Sequence, residues 1–122
     1  MYSISEIAEK VDISAHTLRY YEKEGIIDPI RNDSGVRQFD EKHLHWLQFV
    51  KKLRETQMPV SQIKKYTRLF LEGEHTANAR LNLLEEHQQY IRDQIETLLA
   101  TDDMLTKKIS TYKELMRESL VK

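Results

Sequence analysis

Apolar residues recur at helical spacing along most of this chain, and few turn-forming residues interrupt them. Only three glycines and two prolines occur in 122 residues, a composition typical of a mainly α-helical protein. The pattern predicts a first helix over residues 5–11 and a second that follows the cap residue Ser14 and ends near Glu24. Asp12 and Ile13 form the predicted turn between the two helices. Gly25 follows as the expected stop of the second helix.

A segment with a different pattern follows this helix pair. Residues 30–39 predict two short extended arms around a turn that contains Gly35, as in a β-hairpin. Helical spacing then returns, with a third helix expected over residues 40–55 and a fourth over residues 60–72. The side chains expected to bury the third and fourth helices include Trp46, Ile63, Thr67, Phe70 and Leu71.

The last third of the chain carries the longest regular pattern. From about Thr76 to Leu120 there is no glycine or proline, so a single helix on the order of 65 Å long is expected. Positions that alternate four and three residues apart form the seam of a coiled coil, which its own helix cannot bury. A partner helix is needed, and the simplest partner is a second copy of the chain. The apolar seam residues are Leu84, Ile91, Ile95, Leu98, Leu105, Ile109, Tyr112 and Met116.

Two polar residues interrupt this seam. Gln88 and Asp102 occupy seam positions where the neighbouring ones are apolar. They either fix the register of the paired helices at some cost in stability or mark a local bend of the apolar stripe. The pattern does not decide between these alternatives, nor does it establish the direction of the partner helix.

Composition narrows the possible functions without identifying one. The formal net charge is −1, so overall charge gives no support to nucleic-acid binding, and any such role must rest on where the charges lie. Cysteine is absent, which excludes disulfides, thiolate metal sites and cysteine nucleophiles. The chain begins without a basic and apolar leader pattern, and it contains no apolar run that approaches a membrane span. We therefore expect a cytoplasmic protein.

The sequence offers no constellation for catalysis. It has no glycine-rich phosphate loop and no nucleophile elbow, and its acidic and basic residues alternate as on solvated helix faces. A chain of this length also leaves little room for a large substrate pocket. The five histidines are scattered, and His43 and His45 point to different sides of a helix. We expect no enzyme activity, no cofactor and no metal site.

The second predicted helix has two different faces. Leu18 and Tyr21 fall on the side that would contact the first helix. Tyr20 and Tyr21 lie about 100° apart around the helix, so one phenol should face outward. The outward side carries donors and an aromatic ring, and its plain interpretation is a solvated face of a small bundle. Its residues are His16, Arg19, Tyr20 and Lys23.

In a helix-turn-helix, this same face would meet DNA. The beginning of the second helix would enter the major groove, with Arg19 and a tyrosine hydroxyl on phosphates and His16 or Thr17 near base edges. The hairpin that follows would act as a wing. Arg31 and Arg37 lie on opposite arms and are suited to backbone phosphates, although arginines on an exposed hairpin are also commonly just solvated. Further donors on the hairpin are Asn32, Ser34 and Gln38.

These residues closely resemble the MerR family of bacterial transcriptional regulators. The resemblance extends over essentially the whole chain, and its most specific part is a Thr-Leu-Arg-Tyr-Tyr-Glu motif followed by glycine and a Gly-x-Arg wing. The matching segments are Tyr2 to Ala8, Val11 to Ser14, Thr17 to Glu22, Gly25 to Ile27, Arg31, Ser34 to Arg37 and Phe39.

The chain departs from the family pattern at several positions. The family usually has glycine where Asp12 and Gln57 stand, an aromatic residue at Val36 and tyrosine at Phe39. The segment over residues 49–54 is similar to the small members that respond to aldehyde and nitrosative stress. Those members have a cysteine where this chain has Lys52.

The resemblance implies a fold of two parts. A winged helix-turn-helix DNA-binding domain with two following helices would span residues 1–73, and a dimerisation helix over residues 76–120 would form an antiparallel coiled coil. The DNA-binding residues implied by the motifs are Ser14, His16, Thr17, Arg19, Tyr20, Tyr21, Arg31, Ser34, Gly35 and Arg37.

The resemblance also implies a mechanism. A homodimer would bind a palindromic site in double-stranded promoter DNA and distort it, and an effector would change the distortion so that RNA polymerase on the same promoter can engage. The sequence does not identify the effector. The alternative is a coiled-coil adaptor or anti-regulator whose helix-turn-helix contacts protein instead of DNA.

Overall fold

The computed structural model describes residues 1–121 and is mainly helical, as the sequence predicts. A two-stranded hairpin and one 3₁₀ turn complete the regular structure of the described residues. No helix in the described part of the chain is long and apolar enough to cross a membrane. The elements are α1 (Ile4–Val11), α2 (Ala15–Lys23), β1 (Ile30–Arg31), β2 (Arg37–Gln38), α3 (Glu41–Glu55), α4 (Val60–Glu72), a 3₁₀ turn (Glu74–Thr76) and α5 (Ala77–Val121).

Helix α1 begins one residue earlier than predicted because Ser3 caps it. The Ser3 hydroxyl accepts a hydrogen bond from the Glu6 N–H at 3.1 Å, and the Glu6 carboxylate accepts one from the Ser3 N–H at 2.9 Å. These reciprocal bonds satisfy two donors that the helix leaves free. They also lower the pKa of Glu6, chiefly through the hydrogen bond from the Ser3 backbone.

The two positions where the family usually has glycine share one backbone feature. Asp12, in the turn between α1 and α2, has φ of 54°, and Gln57, between α3 and α4, has φ of 76°. Glycine adopts this left-handed region without strain, and aspartate tolerates it better than most residues. The predicted turn at Asp12 and Ile13 is therefore confirmed, and Asp12 is its left-handed residue.

The core lies where α1, α2, the hairpin, α3 and the start of α4 meet. Leu18 and Tyr21 on α2 are buried as predicted. Trp46 is half-buried against the core, where its indole N–H donates to the Ile26 carbonyl at 2.7 Å. Tyr2 forms an antiparallel bridge with Phe39, which attaches the first residues to the end of the hairpin. The buried apolar residues of this core are Ile7, Val11, Leu18, Tyr21, Ile26, Ile27, Phe39, Leu47, Val50, Leu53, Met58 and Ile63.

The prediction that Phe70 and Leu71 bury α4 is wrong. Ile63 and Thr67 are buried, but Phe70 is 54% exposed and Leu71 is 76% exposed. The reason is that the last turn of α4 faces an open cavity, which Ile26, Ile27 and Trp46 also line. The Phe70 ring instead stacks on Trp46 with ring centroids 6.1 Å apart. The Arg80 guanidinium covers Phe70 at 5.4 Å from the ring centre.

The contacts divide the chain into two compact units, Met1–Leu84 and Glu85–Lys122. The first unit includes the 3₁₀ turn, where Thr76 donates a hydrogen bond to the Leu69 carbonyl at 2.6 Å, and the start of α5, where Leu83 is buried. The predicted long helix is confirmed. The assignment of DNA binding to residues 1–73 and of dimerisation to residues 76–120 stays a prediction.

Candidate nucleic-acid interface

Helix α2 begins with a side-chain cap that orders its first turn. The Ser14 hydroxyl accepts from the Thr17 N–H at 3.0 Å and donates to the Thr17 hydroxyl at 2.9 Å. This cap was predicted, and it fixes the direction in which the chain enters α2. Both residues are candidate DNA contacts, and in the free protein their hydroxyls are bonded to each other.

The face of α2 opposite the core is exposed and positively charged. His16, Arg19 and Lys23 are exposed, and Tyr20 is 43% exposed. Within the described residues, neither Arg19 nor Lys23 forms an ion pair. Two cations one turn apart on an exposed helix therefore keep their donors for an external acceptor.

The two adjacent tyrosines divide as predicted. Tyr20 faces outward, whereas Tyr21 is only 5% exposed and belongs to the core. Their ring centroids lie 6.0 Å apart with the planes tilted by 46°. Since the Tyr21 ring is enclosed, its burial favours a structural role, and a DNA contact is easier to assign to Tyr20.

The predicted hairpin is confirmed, and its turn is built by Asn32. The Asn32 side-chain oxygen accepts from the N–H groups of Ser34 at 2.9 Å and Val36 at 3.0 Å. Gly35 adopts a left-handed φ of 78°, which few other residues accept. Ser34 and Gly35 are exposed at the tip. The strands pair antiparallel, with Arg31 opposite Arg37.

The two hairpin arginines converge on one carboxylate of α2. Arg31 Nη2 lies 2.7 Å from Glu22 Oε2, and Arg37 Nε lies 2.5 Å from Glu22 Oε1. Arg31 also donates through Nη1 to the Gly35 carbonyl at 2.9 Å. The hydrogen bond from Arg37 and then that from Arg31 lower the pKa of Glu22, against the opposing effect of burial.

Glu22 is part of this site, although the sequence pattern does not predict it. It belongs to the matching family motif, but nothing in its spacing indicates contact with a hairpin. Its partners lie 9 and 15 residues further along the chain. The available signal was charge: an acidic residue at the end of α2 precedes a hairpin with one arginine on each arm.

Most of the predicted seam residues of α5 are exposed. Leu84 and Ile91 are half-buried, and the other six remain about half or more exposed in the single chain. The exposed seam residues are Ile95, Leu98, Leu105, Ile109, Tyr112 and Met116. An apolar stripe of this length in contact with water is typical of a surface that a partner covers.

Comparison with known families decides the identity of this arrangement. Residues 2–69 match the family described as "MerR HTH family regulatory protein", and residues 44–108 match "MerR, DNA binding". The chain belongs to the MerR family. This MerR-family protein is a DNA-binding transcription regulator, and the named relatives are transcriptional regulators rather than enzymes.

Two curated relatives illustrate the similarity. The chain is 40% identical over 88 residues to the HTH-type transcriptional regulator AdhR of Bacillus subtilis, a match that covers 71% of this chain and 63% of AdhR. It is 35% identical over 114 residues to an uncharacterized HTH-type transcriptional regulator of Haemophilus influenzae, covering 93% of this chain and 84% of the relative. The match to AdhR thus spans less than two thirds of that protein.

Two solved structures have the same fold over most of their length. A putative MerR family transcriptional regulator from Listeria monocytogenes superposes with a TM-score of 0.88 at 37% identity, covering 93% of this chain and 86% of that one. HiNmlR, described as a MerR family regulator lacking the sensor domain and bound to promoter DNA, superposes with a TM-score of 0.84 at 35% identity. That match covers 93% of this chain and 90% of HiNmlR.

Proposed function

We propose that this MerR-family regulator binds a palindromic promoter site as a homodimer through α2 and the hairpin. The observation that carries the proposal is the exposed face of α2, where Arg19 and Lys23 have no ion-pair partner within the described residues. An α-helix fits the major groove of DNA, and unpaired cations on its exposed face can bind backbone phosphates. The exposed His16 at the start of α2 can form hydrogen bonds with base edges.

The hairpin supplies the second group of contacts. Arg37 uses only its Nε in the contact with Glu22, so its two Nη groups remain for phosphate oxygens. Ser34 and Gly35 at the exposed tip add a hydroxyl and a backbone N–H. This distribution supports a wing that contacts the phosphate backbone, while α2 enters the major groove.

The seam of α5 supports dimerisation. A dimer of this weakly charged chain presents two α2 helices and two hairpins to one inverted repeat. Once the first chain has bound its half-site, the second chain binds the other half-site at a high effective concentration, which raises the affinity. The family resemblance implies that the paired α5 helices are antiparallel. It also implies that the dimer distorts the promoter and that an effector changes this distortion, so that RNA polymerase on the same DNA can engage. Distortion costs several kcal/mol, enough to serve as a switch.

Salt-dependent binding tests the DNA function directly. The duplex with the highest affinity is first selected by the protein from a random pool, and its dissociation constant is then measured by fluorescence anisotropy at several salt concentrations. We expect affinity to fall steeply with salt, and Arg19→Ala to reduce the slope by about one per lost phosphate contact. Arg117→Ala on α5, whose side chain pairs with Glu114 at 3.3 Å, is the control and should leave the slope unchanged.

The same titration separates the DNA function from the adaptor alternative. An adaptor would select no duplex from the pool, and its weak binding to DNA would respond equally to the Arg19 and Arg117 variants. Either result would contradict a DNA-reading role for α2.

A further inference from the structure

The hairpin holds two cations in an unfavourable arrangement. Arg31 and Arg37 are direct partners in the strand register, in a ladder of only two residue pairs. Like charges placed directly opposite one another destabilise a strand pair, and a two-stranded hairpin is marginally stable by itself. A hairpin with this sequence therefore depends on a compensating contact from outside.

Glu22 provides that contact from the last turns of α2. Each carboxylate oxygen accepts from one arm, Oε2 from Arg31 and Oε1 from Arg37. Arg31 extends the connection to the Gly35 carbonyl in the turn. One side chain on α2 is thus linked to both arms and, through Arg31, to the tip. The Glu22 side chain is only 24% exposed, so water screens these contacts less than it screens a typical surface pair.

We propose that Glu22 is a positioning residue for DNA recognition, whose carboxylate holds the hairpin at a fixed distance from α2. The inference rests on the proposed function, which assigns phosphate contacts to the hairpin. Glu22 occupies one N–H of Arg37 and one of Arg31, out of five on each guanidinium. The two arginines therefore keep donors for phosphates while their orientation is set from α2.

Loss of the Glu22 charge has two opposite effects on DNA binding. Removing a negative charge from a DNA-facing surface strengthens binding to any duplex, because the phosphate interaction is not sequence-specific. Releasing the hairpin weakens binding only to the specific duplex, because only there must α2 and the hairpin contact fixed positions of the DNA at the same time. The ratio of specific to non-specific affinity therefore reports positioning, whereas either affinity alone does not.

Three variants separate these effects on the duplex selected by the wild-type protein and on a scrambled duplex of equal composition. Glu22→Gln removes the charge at nearly constant size, and Glu22→Asp keeps the charge but shortens the reach to the hairpin. Glu24→Gln is the matched control, since Glu24 also lies at the end of α2 but pairs with Lys64 at 3.1 Å.

We expect both Glu22 variants to lower the specificity ratio by about tenfold, the scale of one charge-assisted hydrogen bond. Glu24→Gln should leave the ratio unchanged. An unchanged ratio in the Glu22 variants, or an equal fall in the Glu24 variant, would overturn the inference while leaving the DNA function intact. A wild-type protein that selects no duplex would instead contradict the proposed function, and the inference with it.

A second measurement on the free protein does not require DNA. In ¹⁵N NMR spectra, the Nε–H of Arg37 should give a distinct, slowly exchanging signal in the wild-type and Glu24→Gln proteins. The signal should be lost in both Glu22 variants, with increased mobility of the backbone over residues 32–36. Identical Arg37 signals and hairpin mobility in all four proteins would show that Glu22 does not hold the hairpin.

Discussion

The seam of α5 allows a quantitative prediction for dimerisation. Leu98 is 67% exposed in the single chain, so roughly two thirds of its burial remains to be gained from a partner. Full burial of a leucine side chain is worth about 1.5–3 kcal/mol, which leaves about 1–2 kcal/mol per copy for Leu98. Because a two-fold dimer contains the position twice, Leu98→Ala should weaken association by about 2–4 kcal/mol.

This free energy corresponds to a rise of roughly 30- to 700-fold in the dimer dissociation constant. Sedimentation equilibrium over a range of chain concentrations measures that constant. Met104→Ala is the matched control, because Met104 is similarly exposed, at 59%, but lies about 120° around the helix from Leu98. The reasoning is refuted if the two substitutions raise the dissociation constant equally, or if Leu98→Ala leaves it unchanged.

Three further predictions concern the first compact unit. Gln57→Gly should stabilise the protein by about 0.5–1 kcal/mol, because glycine adopts the left-handed backbone at φ of 76° without strain. A midpoint of urea unfolding at or below that of the wild type would contradict this. Asp40→Ala should lower the free energy of unfolding by about 1 kcal/mol, because it removes the α3 cap in which the Asp40 carboxylate accepts from the His43 N–H at 3.0 Å. An unchanged midpoint of urea unfolding would show that the cap does not stabilise the protein. The pKa of Glu22 is lowered in the folded state, so its stabilising contribution is present above the unfolded value near 4.5 and is lost as pH falls through the folded value. Wild-type stability, followed by urea unfolding at a series of pH values, should fall more steeply below pH 4.5 than that of Glu22→Gln, and parallel curves would refute the assignment.

Local signals in the sequence predicted most of the backbone. The cap at Ser14, the turn at Asp12 and the bounds of α4 all follow from the preferences of single residues and from helical periodicity. The division of roles between Tyr20 and Tyr21 follows from helix geometry alone. These features depend on residues within one or two helical turns of each other, so a single amino-acid sequence is sufficient to predict them.

Features that depend on contacts between different helices and strands could not be predicted from local signals. The spacing of Phe70 and Leu71 continues the apolar side of α4, but spacing does not indicate that these side chains line an open cavity. The convergence of Arg31 and Arg37 on Glu22 likewise requires knowing how the hairpin folds back on α2. The hairpin arginines were predicted as phosphate contacts only, whereas the structure also gives them an internal partner.

The stoichiometry of the DNA complex tests the central claim most directly. Sedimentation velocity of the protein on its selected duplex, compared with the same duplex cut to one half-site, gives the number of chains bound to each. We predict two chains on the full inverted repeat, bound with much higher affinity than any chain on the half-site. One chain per full duplex, or equal affinity for the half-site, would contradict recognition by a pair of linked α2 helices.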